Sequence, residues 1–443
     1  MGQGTFQAIH MIIAEELEVD IDDVIIKASP ANRMKYGDQM VVGSRSINNN
    51  FDLMRKVGAS AKALFLAAAA KKWSVAEDRC YAEKGRVINI GNNQSLPYAE
   101  LIGIAKTLPV PQTPRLKDPG DFRLIGKSIH RQDVPSKVNG SAVYGMDIRL
   151  PGMLVAVVKH SAVFEGTVVS YKAGDALTVP GVRKVLKTHR GTFGKVREGV
   201  AVLADHYWAA LKGSEKLVVV WYNKGLEQWN SKKILDYFRK GKAEPAEVFR
   251  SKGDPAKTFE AGEKKIVAEY FLPYQAHTPM ESMNATVWVK KDSCEFWGPT
   301  QNPNGVKSFL SGLTGIPEER VIIHYTQMGG AFGRRSLTDL AEEAARLSME
   351  SGSPVQVVWT KEDDITQGPF RACSFNVLKG SLKDGKVTSL QHQVICQDIR
   401  AQGEKDAKAS SAVAGGINTE YEIPDYSISG VLRKLHIPVS YWR

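Results

Sequence analysis

The segment of this chain best suited to chemistry is a glycine-rich turn, Gln327–Arg335, with the sequence QMGGAFGRR. A β-branched apolar run, Val321–Tyr325, precedes the turn and predicts a strand. Apolar residues at helical spacing follow from 337 to 347 and predict a helix. Glycines let a backbone approach a ligand closely, and the N–H groups at a helix start favour an anion. Together these elements predict a place for a phosphate-bearing ligand, where Arg334 and Arg335 would add positive charge.

Three interpretations compete for this turn. A dinucleotide fingerprint, G-x-G-x-x-G, would place its first glycine at Met328, so the match fails at the tight turn. A second predicted strand, Val355–Trp359, is followed by the acids Glu362–Asp364, which could imitate the acid that binds a ribose. These acids lie about thirty residues after the glycine turn, whereas the ribose-binding acid usually lies about twenty residues after it. A P-loop is excluded because no Gly-Lys-Ser/Thr follows. The third interpretation is a turn that only packs a helix on a strand.

A second group of polar residues stands shortly before the turn. The segment Tyr274–Asn284 contains His277 and Glu281, which could ligate a metal, but no third ligand follows at a suitable spacing. A structural role for both in a polar network is therefore the better interpretation. The next predicted strand ends in polar amides, and this end places Gln301 where α/β proteins usually gather their functional groups.

Length and composition bound the class of protein. The 443 residues suffice for two or three domains, and 43% hydrophobic and 24% charged residues are ordinary for a globular protein. The net charge of +11 comes from scattered lysines and arginines, so we expect no nucleic-acid partner. The four cysteines form no C-x-x-C pair, which argues against an iron–sulfur or zinc site in this chain. We recognise no signal peptide or membrane-spanning run, and the compartment stays unknown.

The predicted elements indicate a multidomain α+β fold in four segments. A helix-rich start, residues 1–115, ends near a proline-rich linker, and a strand-rich segment follows over 122–222. Residues 223–264 are polar and predict a connecting segment, and residues 265–443 are again α/β around the glycine turn. The chain starts directly before a helix and stops on Tyr441-Trp442-Arg443 without a closing element. We therefore expect a piece of a larger unit that lacks its carboxyl-terminal part.

Seven short motifs, in their order and spacing, make the chain similar to a known family. They are Met1–Thr5, Leu124–Lys127, Lys137–Ala142, Pro151–Leu154, His277–Glu281, Pro299–Asn302 and Gly329–Gly333. Together they resemble the molybdenum-binding large subunit of the xanthine dehydrogenase/aldehyde oxidase family, and within it the branch of isoquinoline 1-oxidoreductase beta subunits. The resemblance covers essentially the whole chain. It implies molybdopterin-binding α/β domains with an α/β hammerhead-like domain, residues 122–222, between them.

The resemblance also implies a cofactor and the residues that contact it. The cofactor would be molybdopterin cytosine dinucleotide with molybdenum, and no side chain would ligate the metal directly. Gln301 matches the glutamine that hydrogen-bonds an oxo ligand of the metal, and it is the residue expected to act in catalysis. The positions that match other cofactor contacts of the family are Gln3, Gly4, Gly43, Ser44, Ser46, Gly329, Gly330, Ala331, Phe332, Gly333, Arg334 and Arg443.

The activity that the resemblance implies is that of a molybdenum hydroxylase, which oxidises an aldehyde or an N-heteroaromatic carbon with water as the oxygen source. Electrons would pass to [2Fe-2S] clusters on a partner subunit. The family's catalytic glutamate lies in a Gly-x-Gly-Glu-type turn that this sequence lacks, and Glu281 is not its equivalent. We therefore expect the isolated chain to be inactive, with a further polypeptide as a candidate for the missing part. The alternatives are an NAD(P)-dependent dehydrogenase built on residues 321–364 and a non-catalytic cofactor-binding or assembly module.

Overall fold

The computed structural model describes residues 2–399, 402 and 410–442. The chain forms two compact units, Met1–Val143 and Tyr144–Arg443. Each unit combines helices with sheets, in agreement with the predicted multidomain α+β class. The boundary between the units lies beyond the predicted boundaries near 115 and 122, and the division into four segments stays a prediction.

The first unit is built on the contact between its two longest helices. Its elements are α1 (Thr5–Leu17), α2 (Arg33–Tyr36), α3 (Arg45–Asn48), α4 (Phe51–Trp73), β1 (Cys80–Glu83), β2 (Arg86–Asn89), β3 (Ser95–Pro97), α5 (Tyr98–Ala105) and α6 (Val134–Val138). Helix α1 packs on α4 so closely that a Cβ at Gly58 would lie 2.7 Å from the carbonyl oxygen of Ile13. Further along, α4 covers the three-stranded sheet and α5 around a core that includes Ala69, Val87 and Leu101.

A buried glutamate ties the chain after the proline-rich linker to α1. One carboxylate oxygen of Glu15 accepts hydrogen bonds from three consecutive backbone N–H groups, those of residues 123–125. The other oxygen pairs with the ammonium group of Lys117 at 2.7 Å. Burial opposes ionisation, but Lys117 and the backbone donors outweigh it and lower the pKa of Glu15. The motif that begins at Leu124 is thus fixed to the helix that the first glycine turn opens.

The second unit contains two large sheets and a two-stranded ribbon. Its elements are β4 (Leu154–His160), β5 (Thr167–Lys172), α7 (Gly174–Leu177), β6 (Val182–Thr192), β7 (Lys195–Ala204), α8 (Tyr207–Lys216), β8 (Val218–Tyr222), α9 (Ser231–Lys240), β9 (Glu247–Lys252), α10 (Pro255–Ala261), β10 (Lys264–Leu272), β11 (Asn284–Val289), β12 (Cys294–Gly298), α11 (Pro303–Thr314), β13 (Val321–Tyr325), α12 (Asp339–Ser351), β14 (Val355–Val358), α13 (Lys361–Thr366), β15 (Ser374–Lys383), β16 (Lys386–Cys396), α14 (Ala414–Ile417) and β17 (Asp425–Leu432). Strands β5 and β8 form the ribbon.

A mixed seven-stranded sheet carries the glycine turn. Its strand order is β13-β12-β11-β14-β4-β7-β6, so strands of the predicted 122–222 segment share one sheet with strands of the 265–443 segment. Helix α12 lies against β11, β14 and β6, and its apolar face is buried. The strands are rich in valine, and Val157, Val287 and Val357 are at most 3% exposed. This buried sheet is the rigid base from which the turn after β13 projects.

The strand order excludes the dinucleotide-binding alternative. In that fold the strands on either side of the glycine-led helix are parallel neighbours. Here β12 and β11 separate β13 from β14. The acids after β14 also have local roles, because Asp363 caps α13 by accepting from the N–H of Thr360 at 3.0 Å, and Asp364 is buried. The NAD(P)-dependent interpretation of residues 321–364 is therefore wrong.

The second large sheet has five strands in the order β10-β15-β16-β17-β9. The predicted polar connecting segment, residues 223–264, supplies α9, α10 and the edge strand β9 of this sheet. In the part of the chain that the structure describes, no helix combines the length and the apolarity needed to cross a membrane.

Candidate functional site

The glycine turn is a strained loop with three consecutive backbone donors. Gly330, Phe332 and Gly333 have φ angles of +96°, +56° and +101°, conformations that favour glycine and are uncommon for phenylalanine. Among the described residues, the N–H groups of Gly330, Ala331 and Phe332 donate no hydrogen bond. Successive N–H groups in a backbone that alternates between hands form a concave surface that binds anions. The loop is thus a cradle for a negatively charged or oxygen-rich group.

Glu281 holds the first glycine of the turn. Its carboxylate accepts from the N–H of Gly329 at 2.9 Å, and its own N–H donates to the Gly329 carbonyl at 3.0 Å. A Cβ at Gly329 would lie 2.5 Å from the Cβ of Glu281, so only glycine fits there. The second carboxylate oxygen accepts from the side chain of Asn284 at 3.0 Å. Glu281 therefore has the structural role in a polar network that the sequence predicts for it.

Gln301 holds the other end of the turn. It follows β12, and its side-chain oxygen accepts from the backbone N–H of Gly333 at 3.1 Å. The backbone N–H of Gln301 donates to the carbonyl of Arg335 at 2.8 Å. Gln301 is 4% exposed. A side chain at Gly333 would collide with the carbonyl oxygen of Tyr441. The predicted strand-end position of Gln301 and its nearness to the glycine turn are both observed.

The two arginines do not present their charge to a ligand, contrary to the expectation from the sequence. Arg334 forms a bidentate ion pair with Asp339 at 2.8 and 2.7 Å, and both side chains are 1% exposed. Arg335 donates to the carbonyl oxygens of Gly330 and Glu281 at 2.9 and 2.8 Å. Both guanidinium groups are therefore engaged inside the protein, where they brace the loop. The backbone N–H of Arg334 is also engaged in the loop, where it donates to the carbonyl of Ala331 at 2.9 Å.

The N–H groups suited to an anion lie in the glycine loop. The sequence pattern instead predicts such N–H groups at the start of the helix that follows. A single 3₁₀ turn, Arg334–Ser336, separates the last glycine from α12, which begins at Asp339. Asp339 is 1% exposed and occupies the first turn of that helix. Burial opposes its ionisation, but the charges of Arg334 and Arg190 outweigh this and lower the pKa of Asp339. The partial positive charge at the start of α12 is thus compensated by the carboxylate of Asp339.

His277 supports the turn from the side of the chain's last described residues. Its Nε2 lies 2.7 Å from the carbonyl oxygen of Tyr441, the same carbonyl that approaches Gly333. His277 is 4% exposed, and burial lowers its pKa to about 4. The imidazole is therefore neutral at neutral pH and donates its Nε2 proton to Tyr441. No group of three or more candidate metal ligands occurs within the described residues.

A buried ion cluster behind the turn has no counterpart among the sequence predictions. Arg190 of β6 pairs with Asp339 at 2.8 Å and lies 4.5 Å from the ring of Trp359. His160 of β4 contacts Glu343 of α12 at 3.0 Å, and both are fully buried. No sequence spacing connects these residues, because the contacts join segments about 150 to 180 positions apart. The cluster positions α12, and through Arg334 it positions the turn.

The predicted contacts in the first unit lie at two glycine turns. Gly4, with φ +82°, precedes α1, and the exposed Gln3 lies beside it. Gly43 and Ser44, with φ +61° and +57°, precede the one-turn helix α3, in which the carbonyl of Ser46 accepts from Asn50. Both turns have the backbone conformation that close approach to a ligand requires. The predicted contact Arg443 lies outside the described residues.

Comparison with known proteins identifies molybdopterin-binding relatives. Residues 240–440 and residues 1–158 each match a family model described as a molybdopterin cofactor-binding domain. The chain is 29% identical to the beta subunit of isoquinoline 1-oxidoreductase from Brevundimonas diminuta, with 100% of the chain and 63% of the relative covered. It is 25% identical to one subunit of nicotinate dehydrogenase from Pseudomonas putida, with 89% and 33% covered. The chain thus spans less than two thirds of the length of these relatives.

Solved structures share the fold. Quinoline 2-oxidoreductase from Pseudomonas putida 86 superposes with a TM-score of 0.57 at 18% identity, covering 72% of this chain and 46% of that one. The aldehyde oxidoreductase from Desulfovibrio gigas superposes with a TM-score of 0.53 at 18% identity, covering 74% and 40%. At this identity the likeness concerns the fold alone. It agrees with the predicted class of molybdopterin-binding α/β domains.

Proposed function

Because this chain belongs to the xanthine dehydrogenase/aldehyde oxidase family of molybdopterin-binding large subunits, we propose that it is the cofactor-binding part of a molybdenum hydroxylase. The complete enzyme would oxidise an aldehyde or an N-heteroaromatic carbon, with water as the oxygen source. The relatives named for isoquinoline, nicotinate and aldehyde substrates support this range of substrates. The molybdenum cofactor, when bound, supplies the redox chemistry, and the protein supplies binding and orientation.

The observation that carries the proposal is the row of backbone donors in the glycine turn. The N–H groups of Gly330, Ala331 and Phe332 have no acceptor in the described part of the protein, and the loop that holds them is pinned at Gly329 and Gly333. A Cβ at Gly330 would lie 3.3 Å from the side chain of Pro279, so the backbone of the turn packs closely against Pro279. Oxygen ligands of a metal and the polar edge of a pterin are acceptors that suit such donors.

Gln301 is the side chain that we expect to act on the reacting group. Its amide oxygen is held by Gly333, and this bond sets the direction in which the two N–H bonds of the amide point. We propose that this amide donates a hydrogen bond to a ligand oxygen at the turn. We propose Gln301 as the catalytic residue of this chain, and we assign no metal ligand to its side chains.

The remaining contacts divide between the two units. In the second unit the proposal assigns Gly329, Gly330, Ala331, Phe332, Gly333 and Arg334 to the cofactor. In the first unit it assigns Gln3, Gly4, Gly43, Ser44 and Ser46, and Arg443 completes the set. Glycine turns of this kind suit the diphosphate of a dinucleotide, so we propose the cytosine dinucleotide form of molybdopterin.

We further propose that electrons leave through [2Fe-2S] clusters on a partner subunit. The isoquinoline and nicotinate relatives are each named as one subunit of an enzyme, which supports a heteromeric assembly. The four cysteines of this chain are each buried in its core, where burial raises the pKa of Cys294 and Cys373 to about 12. Such thiols stay protonated and are poor metal ligands. The clusters would therefore belong to another polypeptide.

The experiment is expression in a host that makes the cytosine dinucleotide cofactor, followed by metal and nucleotide analysis of the purified protein. We expect about one molybdenum per chain, and release of a cytosine nucleotide on acid treatment. A parallel preparation from a host strain that cannot make the cofactor is the control, with circular dichroism to show that both samples are folded. A folded sample with neither molybdenum nor nucleotide would refute the proposal and leave a non-catalytic module as the better interpretation.

A further inference from the structure

A small cavity in the second unit has basic walls and shares no lining residue with the glycine turn. Its volume is about 10 Å³, which is the space that one water-sized occupant requires. The lining residues that matter to the argument are Phe164, Glu165, Arg190, Thr192, Lys195 and Arg197. These side chains come from the end of β6, the start of β7 and the loop before β5.

Three donors on residues of this cavity have no acceptor in the described part of the protein. They are the Nε–H groups of Arg190 and Arg197 and the hydroxyl of Thr192, each fully shielded from solvent. The three residues are 1%, 4% and 6% exposed. Buried donors without an acceptor are costly, and native proteins rarely leave several of them together. An occupant of the cavity that accepts hydrogen bonds would satisfy such donors.

Both terminal nitrogens of each guanidinium group already donate hydrogen bonds, so the two Nε edges are fixed in place. Arg190 pairs with Asp339 at 2.8 Å and donates to the carbonyl of Gln367 at 3.3 Å. Arg197 donates to the carbonyls of Ser161 and Val163 at 3.2 and 3.1 Å. Its guanidinium group also lies 4.3 Å from the centre of the Phe164 ring. Rigid donors around a cavity form a site that is organised before its ligand arrives.

The charges around the cavity favour an anion over a neutral molecule. The cavity wall carries three cationic side chains, Arg190, Lys195 and Arg197, against the single carboxylate of Glu165, which lies 3.8 Å from the ammonium group of Lys195. Arg197 forms no ion pair with a described carboxylate. Burial and the repulsion of Arg190 lower the pKa of Arg197 to about 9. Because a buried charge needs a counter-charge, Arg197 is the cation on the cavity wall that an anion would compensate.

We propose that this cavity binds a monatomic anion, a halide ion, held by the Nε–H groups of Arg190 and Arg197 and by the hydroxyl of Thr192. A water molecule would accept the same hydrogen bonds but would leave the positive charge uncompensated. Phosphate and sulfate are too large for a cavity of about 10 Å³. The bound ion would join the β6–β7 hairpin to the loop that carries Phe164.

The test is the thermal stability of the full chain in sodium chloride, sodium bromide and sodium gluconate at equal ionic strength. We expect either halide to raise the Tm saturably, by about 2–4 °C over gluconate, because it binds only the folded state. Thr192→Val keeps the shape but removes one donor, and Arg197→Gln removes charge and donor, so both variants should lose the halide response. Arg183→Gln, which disrupts an exposed ion pair outside the cavity, should retain it.

An equal Tm in all three salts for the unmodified chain would overturn the proposal, and so would a halide response that survives in Thr192→Val. If Arg197→Gln does not fold, Thr192→Val decides the matter. Crystals grown in bromide give an independent readout by anomalous scattering. A bromide peak within hydrogen-bond distance of the three donors supports the site, and a neutral water there at saturating bromide refutes it.

Discussion

At the scale of single residues, the side chains of the candidate site act by fixing the backbone of the glycine turn. Gln301 and Glu281 each accept a hydrogen bond from one end of the glycine turn, and His277 donates to the carbonyl that lies against Gly333. Every one of these side chains is shielded enough for a lost partner to matter energetically. Substitutions at these positions therefore test the site more sharply than substitutions in the glycine loop, which also change the backbone.

Gln301→Ala should preserve the fold and weaken the site. The variant leaves the N–H of Gly333 without its acceptor and removes the directed donor proposed for the cofactor, a loss of about 1–3 kcal/mol. In the assembled enzyme we expect turnover to fall by about ten-fold or more, since about 1.4 kcal/mol corresponds to a factor of ten. Steady-state kinetics and molybdenum content measure this. The exposed Gln228→Ala is the matched control, and unchanged kinetics in Gln301→Ala would remove Gln301 from the reacting group.

His277 should make stability depend on pH. Burial lowers its pKa to about 4, below the ordinary value of about 6.5. The stability contributed by the neutral His277 is fully present above pH ~6.5 and is lost as the pH falls toward 4. The reason is that His277 takes up a proton at a higher pH in the unfolded state than in the folded state. The loss amounts to about 3 kcal/mol. Urea unfolding across this range measures it, and His277→Gln should flatten the profile while the exposed His130→Gln should not. Parallel profiles for His277→Gln and the unmodified chain would contradict the assignment.

At the scale of elements, the glycine turn is shaped by contacts on both of its sides. Glu281 precedes β11, Gln301 follows β12, and the turn itself follows β13, so three adjacent strands of one sheet supply it. The segment around Tyr441 closes the turn from outside the sheet. Because several elements fix it, the loop can keep backbone angles that would be unfavourable in isolation.

Gly333→Ala should lower the free energy of unfolding by more than the strain of its backbone angle alone explains. A left-handed φ costs alanine about 1–2 kcal/mol, and the collision with the Tyr441 carbonyl adds about 1–3 kcal/mol. Gly352, at the end of α12, has φ +72° and open space for a Cβ, so Gly352→Ala measures the backbone term alone. Chemical denaturation of the two variants gives the difference. Equal losses would mean that Tyr441 does not pack against the turn.

Glu281 offers a second test at this scale, because a clamp and a catalytic base respond differently to substitution. Glutamine can still accept from the N–H of Gly329, so Glu281→Gln should keep turnover within a few-fold in the assembled enzyme. Glu281→Ala releases the loop and should lower molybdenum content. Loss of a general base would instead reduce turnover by about 10²–10⁴ in Glu281→Gln. A loss of that size with normal molybdenum content would assign the proton transfer to Glu281.

At the scale of the whole molecule, local patterns are readable from the sequence and long-range pairings are not. The strand before the turn, the helix after it and the strand-end position of Gln301 follow from periodicity and glycine placement. The mixed strand order cannot be predicted in this way, because the sequence of a strand does not indicate which strand lies next to it in the sheet. The expectation that Arg334 and Arg335 present their charge to a ligand is wrong for a different reason, because both guanidinium groups are engaged inside the protein. Arg334 pairs with the buried Asp339, and Arg335 donates to the carbonyls of Gly330 in the loop and of the more distant Glu281.

The ion cluster around Asp339 links β6 to α12 across this long-range architecture, and breaking it should be costly. Asp339→Asn keeps the shape but leaves Arg190 and Arg334 without their shared carboxylate, a loss of about 3–5 kcal/mol because both guanidinium groups stay buried. The exposed pair Arg183–Asp205 has a similar separation, 2.6 Å, yet Asp205→Asn should have little effect on stability because solvent screens the pair. Urea unfolding of the two variants compares them directly. Similar small losses would mean that Asp339 is not the anchor of the turn, and that Arg334 holds its position through the loop backbone alone.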